Sequence, residues 1–437
     1  MNATGDNMRM RLMGSMMALV CSFATTAHAA APDNVRADAR VILDRIIAIP
    51  SSAGLGQVPA VAQYLADRFR AAGFPEDDIH ILPSGETASL VVRYRGNGQG
   101  GKPILVIAHM DVVTAKPEDW ERDPFKLIEE NGYFLGRGTQ DMKSDIALIA
   151  ATLLRLKAEE FQPTRDLIIA FSGDEETTMA TTKELAAKYR TLTDAEFALN
   201  GDGGGGKLDE ETGQPRFYAL QGAEKSYASF TLTAHNPGGH SSQPRSDNAI
   251  YELADALKAV QGYAFPVMWN DWTIGSFKAS APVTPGELGQ AMAKFAAHPG
   301  DAEAAAVLAK TPALIGRTRT TCVATLLTGG HADNALPQSA TATVNCRIFP
   351  GTSVAEVRDS LQQVVGARIE VKVLGEPHSS PPSPMRSDVL AAVTKAVRAG
   401  HPGVPIVPDM APYATDGSNL RGAGIPTYGV SSLFMQE

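Results

Sequence analysis

The stretch DLIIAFSGDEET, Asp166–Thr177, decides how this chain is read. Its first half is an uninterrupted apolar run, as expected for a strand buried on both faces. It ends abruptly in three acids, Asp174, Glu175 and Glu176. Adjacent carboxylates repel, and holding them beside a buried sheet end is costly unless something neutralises them. The fold and the function are therefore read from the same few residues.

The flanking sequence repeats the pattern. KPILVIAHMD predicts a buried strand over 103–108, and EFALNGDGGGG predicts a short strand running into a glycine loop. VAQYLADRFRAAGF reads as an amphipathic helix. MKSDIALIAATLLRLKAEE reads as another, with Ile146, Ile149, Leu153 and Leu156 at helical spacing. Strands alternating with helices imply an α/β sheet covered on both faces, with ligands at the C-terminal ends of its strands. Beyond Lys225 the pattern changes. SYASFTLTAH alternates, a helix follows with Ile250, Leu253, Leu257 and Val260 on one face, and TTCVATLLT, ATATVNCRIF, VAEVRDSLQQVV and ARIEVKVL complete a β-α-β-β-α-β order. This predicts a small α+β split-βαβ, ferredoxin-like domain over 225–375, with an extra segment at about 263–318. After the linker EPHSSPPSP the α/β pattern resumes, so the larger domain covers 30–224 and 376–437.

Composition bounds the class. The chain has 437 residues, 20% charged and 44% hydrophobic, with net charge −9 and no long basic run. Nucleic acid and anionic membrane surfaces are poor partners for it. Arg9 and Arg11, the apolar stretch LMGSMMALVCSFA and the small-residue site Ala27-His28-Ala29 form a secretory signal pattern over 1–29. The expectation is an exported, periplasmic or secreted protein. Export would leave Cys322 and Cys346 in an oxidising place, equally far from Asn334; a disulfide and two free thiols are both compatible with that spacing.

The polar residues at the predicted strand ends are His109 and Asp111 in AHMD, the acids of SGDEE and Asp202 in NGDGG, with Asp141 in a glycine loop just before a helix. Four segments thus deliver one histidine and several carboxylates to one sheet edge. Divalent cations allow carboxylates to share a small volume, and mixed His/carboxylate sets suit zinc. Asp174 reads as structural. No G-x-S-x-G elbow or H-E-x-x-H motif occurs.

The ordered set HMDVV, GRGTQDMK, SGDEE, NGDGG, GGHSSQP, NALP and ATDGSNLRGAGIP resembles the di-zinc aminoacylase/carboxypeptidase family. That family includes aminoacylase, succinyl-diaminopimelate desuccinylase, glutamate carboxypeptidase and carboxypeptidase S. The similarity runs from about Val41 to the end, and the inserted segment is most similar to the carboxypeptidase S-like branch. The resemblance implies a zinc-peptidase-like catalytic domain with a mostly parallel sheet, and a dimerisation domain inserted into it. It implies two Zn2+ ions, with Co2+ a substitute. His109 and Asp202 would bind one zinc, Glu176 the other, and Asp141 would bridge them. Asp111 would fix the His109 ring, and Glu175 would be the general base toward a metal-bridging water. His240 would be an oxyanion donor supplied by the partner of a homodimer. Asn334, Arg347, Gly417 and Ser418 match substrate-binding positions, and His235, His331 and His378 are left as structural or surface residues. The implied reaction is cleavage of the amide bond of an N-acyl amino acid or small peptide with a free carboxylate.

Two departures from the family pattern stand out. Ser144 replaces the usual glycine after DMK, and no histidine follows GIPTYGVSSLFMQ, where the family places its last zinc ligand. Truncation of the sequence is the favoured explanation. The alternative is a catalytically impaired homologue that binds a ligand or partner.

Overall fold

The computed structural model describes residues 33–377 and 379–436. The signal-peptide reading of 1–29, His378 and Glu437 lie outside the described residues. Among those described, no helix is long and apolar enough to cross a membrane.

The larger sheet has ten strands. At its centre, Leu167–Ser172, Ile104–His109, Phe197–Asn200 and Thr427–Gly429 run parallel, side by side. The apolar run of the opening stretch is buried on both faces, as its composition requires. Ile169 and Phe171 pack under the helices Val58–Ala71 and Lys143–Ala158, while Ile168 and Ala170 pack against Leu185 and Leu420 on the other face. The sheet is mixed, with parallel pairs at its centre and antiparallel pairs at its flanks. Ile79–Ser84 and Thr87–Tyr94 form a hairpin whose inner strand, Thr87–Tyr94, runs antiparallel to Leu167–Ser172, and Pro215–Glu224 runs antiparallel to Thr427–Gly429 and Gly205–Leu208. A connection as short as the one between Ser84 and Thr87 can only reverse the chain, since parallel neighbours need a long crossover.

The smaller sheet is antiparallel, in the order Thr321–Gly329, Ser339–Ile348, Ser226–His235, Ile369–Leu374. Phe230, Leu232 and Ala234 are fully buried beneath the helices Ala249–Gly262 and Val354–Val365. The first helix is rotated from its expected face. Ala249, Leu253, Ala256 and Val260 are buried, whereas Ile250 is 43% exposed beside the edge strand. Cys322 and Cys346 sit directly opposite each other on neighbouring strands and form a disulfide.

The segment expected as an extra part of the small domain packs elsewhere. Its helices Asp271–Ser280, Gly286–Ala297 and Ala302–Ala309 build a core of their own around Phe277, Phe295 and Leu308. Trp272 anchors this unit to the larger sheet. Its ring lies 6.1 Å from that of Tyr428, and its Nε1–H donates to the Ser383 carbonyl at 2.8 Å. Gly222 makes room for it, because a Cβ there would stand 1.8 Å from the indole. The anchoring aromatic belongs to the insert and its pocket to the larger sheet, a match that no periodicity within the segment encodes.

Candidate metal centre

Every central parallel strand points its C-terminal end at one place. His109 is the last residue of its strand, and the acids Glu175 and Glu176 follow Ser172 after a single glycine and Asp174. Gly173 is required there: a Cβ would lie 2.4 Å from the Ala88 carbonyl of the neighbouring strand. Asp202 follows Asn200 in the loop after the third strand, and Asp141 precedes the helix Lys143–Ala158. The Asp141–Met142 peptide bond is cis.

These side chains converge. His109, Asp141 and Glu176 form one group with possible ligand atoms within 4.8 Å of one another, and His109, Glu175 and Asp202 form a second. The imidazole is almost wholly buried. Its Nδ1 lies 3.0 Å from the backbone carbonyl of Asp111, which can only accept, so that nitrogen carries the proton. Nε2 faces the acids, 2.9 Å from Asp141 Oδ1 and 4.0 Å from Asp202 Oδ2. Fixing the tautomer through the second ring nitrogen is how a ligating histidine is oriented.

The electrostatics are those of crowded negative charge. Burial, then the nearby Asp416 carboxylate, pushes Glu175 up to about 10. Burial and Asp141 raise Glu176, and burial with Asp141, Asp416 and Glu224 raises Asp202 well above the usual range. Burial lowers the affinity of His109 for a proton, but Asp111, Asp141 and Asp202 outweigh it and hold the ring's pKa high. One imidazole beside four carboxylates, two of them on adjacent residues, is a donor set that suits a pair of first-row divalent cations. His109, Asp141, Glu176 and Asp202 would hold them.

The structure places the other expected residues as follows. The Asp111 carboxylate does more than face the His109 ring, which it approaches at 3.4 Å. Its two oxygens accept the backbone N–H groups of Glu175 and Glu176, at 3.1 and 3.0 Å, and so fix where both glutamates start. Asp174 turns away from its neighbours and accepts from Ala180 N–H at 2.8 Å, Thr181 N–H at 2.9 Å and the Thr178 hydroxyl, capping the helix Ala180–Ala186. His240 lies exposed on a two-stranded ribbon with Ala335, next to Asn334, whose carbonyl accepts from Ser241 N–H at 3.0 Å. Its Nδ1 accepts from the Ser242 N–H at 3.2 Å, which leaves Nε2 as an outward donor. Among the described residues neither metal-ligand group contains His240 or Asn334. Arg347 stacks over the Tyr227 ring at 4.9 Å, across the strand pair. Gly417 and Ser418 are buried at the start of a short helix, where a Cβ on Gly417 would lie 3.1 Å from Thr415 Oγ1. His235 pairs with Glu370 on the surface.

Sequence reasoning missed Asp416. It is 2% exposed, accepts from the Thr182 hydroxyl at 2.5 Å and from Ser172, and is raised to about 6 by burial against those bonds. The signal was present in ATDGSN, an acid among small residues after an apolar strand, like the others at this edge. Burial also pushes Lys143 down to about 7, where its ammonium donates to the carbonyls of Ile46 and Ile49 at 2.8 and 2.7 Å and ties the end of the helix Asp33–Ile47 to the Asp141 loop.

Residues 105–435 match the Peptidase family M20/M25/M40. The N-fatty-acyl-amino acid synthase/hydrolase PM20D1 of Xenopus tropicalis is 29% identical over 356 residues, 80% of this chain and 69% of that protein. The probable carboxypeptidase S-like 2 of Dictyostelium discoideum is 28% identical over 63% of this chain, which spans 54% of its length. In fold, the M20 family metallo-carboxypeptidase Sso-CP2 from Sulfolobus solfataricus superposes with a TM-score of 0.65 at 18% identity, over 90% of this chain and 91% of that one. His109 and the acids around it form a cluster that could hold metal ions, and the chain belongs to peptidase family M20/M25/M40, as an M20 metallopeptidase or amidohydrolase.

Proposed function

We propose that the protein hydrolyses the amide bond of N-acyl amino acids or small peptides, using two zinc ions. The observation that carries this reading is the convergence of His109, Asp141, Glu175, Glu176 and Asp202 at the ends of separate segments, with the imidazole Nδ1 held by the Asp111 carbonyl and Nε2 facing the acids. Bound there, the cations would acidify water and polarise a carbonyl. The chain does the rest. Glu175 has its backbone fixed by Asp111 and its side chain among the ligands, and it accepts a proton from the attacking water and returns it to the leaving amine. The Xenopus relative is named for fatty-acyl amino acids, which places long-chain N-acyl amino acids in the substrate panel with acetyl amino acids and dipeptides.

Export and dimerisation belong to the same proposal. The Cys322–Cys346 disulfide supports an oxidising compartment. The edge strand Thr321–Gly329 leaves Val323, Leu326 and Leu327 at 59, 67 and 66% exposure, and an apolar, unpaired edge of this kind supports pairing with a second copy. His240 would then act on the partner's site.

A second reading, a binding homologue with impaired chemistry, is favoured by one observation: His109 is the single imidazole in both ligand groups of the described residues. Assaying the panel with added zinc separates the two. Turnover abolished by chelator and by Glu175→Gln supports the hydrolase. Substrate binding without turnover in the zinc-loaded protein supports the second.

A further inference from the structure

Glu224 is the last residue of the strand Pro215–Glu224, where the chain leaves the larger sheet for the smaller. Its side chain is 1% exposed, and it is not among the acids gathered on His109. Oε2 accepts from Gln221 Nε2 and from the Thr415 hydroxyl, both at 2.9 Å. Oε1 lies 2.9 Å from Arg421 Nη1, in a pair with both side chains sequestered from solvent.

Two of the three partners of Glu224, Thr415 and Gln221, lead to the Asp202 loop of the metal centre. The Thr415 oxygen accepts from Asn200 Nδ2 at 3.0 Å and from Gly417 N–H at 3.1 Å. A hydroxyl has one proton and two lone pairs, so these contacts use it completely and leave its proton only for Glu224. Asn200 Oδ1 in turn accepts the backbone N–H of Asp202 at 2.9 Å. Gln221 Oε1 accepts from Gly204 N–H at 3.2 Å, on the far side of the same loop. Arg421 Nε donates to Ser383 Oγ and the Thr427 carbonyl, at 3.2 Å each. Donor and acceptor directions are therefore forced from Glu224 to the backbone of Asp202, and the residue after Thr415 is Asp416.

We infer that Glu224 is a positioning residue for the metal ligand Asp202, acting through Thr415 and Asn200. This rests on the reading of Asp202 as a ligand. Among the described residues Glu224, Thr415 and Asn200 belong to neither metal-ligand group; their effect is to hold the Asp202 loop at one place beside His109, as outer hydrogen bonds do for ligating groups elsewhere. A buried ion pair contributes little net stability by itself, so its value at this position is geometric.

The test is a cobalt titration read by visible absorption, on the wild type, Thr415→Val, Thr415→Ser and the double variant Glu224→Gln/Arg421→Met, with thermal unfolding of each in chelator. Thr415→Val keeps the shape and removes the hydroxyl. It is expected to unfold near the wild-type temperature while losing about 10–100-fold in cobalt affinity. Thr415→Ser restores the hydroxyl and is expected to recover most of that loss, and the double variant, which removes both charges together, is expected to match Thr415→Val. Wild-type affinity in Thr415→Val, or a serine variant as weak as the valine one, overturns the inference. A wild-type protein that takes up no cobalt overturns the reading of Asp202 itself, and the inference with it.

Discussion

Two sets of acids, one buried and one half-buried, are satisfied in opposite ways. Asp174, Asp145 and Glu224 meet donors from their own chain: threonines and backbone N–H groups for the first, Ser431 and Ser432 for the second, Gln221, Thr415 and Arg421 for the third. Glu175, Glu176 and Asp202 are surrounded mainly by other acids, with His109 as the nearby cation. The contrast is sharpest between Asp174 and Glu175, adjacent in sequence. Where the fold supplies its own partners, a carboxylate holds structure. Where it gathers carboxylates without them, the missing positive charge must come from bound cations.

The comparison breaks most readily at Glu175. Glu175→Gln should lower turnover by about 10²–10⁴-fold, the usual worth of a general base, while cobalt binding persists. Equal loss of binding would move Glu175 into the ligand set. At the other extreme of the disulfide's separate region, Cys322→Ala/Cys346→Ala should cost about 3 kcal/mol by freeing a loop of 24 residues, seen as a lower unfolding midpoint with metal stoichiometry unchanged. Asp174→Ala should cost roughly 1–2 kcal/mol, the worth of a lost cap, and leave metal binding alone. Metal loss in that variant would erase the distinction between the two adjacent acids.

The pH dependence adds a separate test of the metal-centre acids, since burial raises Asp145 and Glu224 as well. Glu175, Glu176, Asp202 and Asp416 have folded-state pKa values above their unfolded ones. A folded state that holds protons longer loses stability as pH rises from the unfolded value to the folded one. The window opens near 4.5 and extends toward about 10 for Glu175, and it runs from 3.8 to about 6 for Asp416. The chelated protein should therefore show an unfolding midpoint that falls from about pH 5 upward, and zinc should flatten that slope. A chelated protein whose stability rises over this range would contradict it.

Much of this was legible in the residues, for a physical reason. Strands buried on both faces must be continuous apolar runs, so the acids that end them stand out, and the C-terminal edge of a parallel sheet brings those ends together. His109, Glu175, Glu176 and Asp202 stand at such ends, and Asp141 is read from a glycine loop just before a helix. Contacts that depend on tertiary register were not legible. The Asp111 carboxylate grips the Glu175 and Glu176 backbones from another strand, and Glu224 finds Arg421 far along the chain. The cysteine spacing left two states open until strand register set Cys322 opposite Cys346. Trp272 drew its segment onto the larger sheet through a pocket that Gly222 leaves open.

The account rests on cations neutralising the strand-end acids. Crystals grown with zinc, with anomalous diffraction recorded at the zinc edge, test this most directly. The account predicts two peaks beside Asp141, roughly 3.5–4 Å apart, within reach of His109, Glu176 and Asp202. Fully soaked crystals with no peak at those side chains, or with zinc bound only elsewhere, would contradict it.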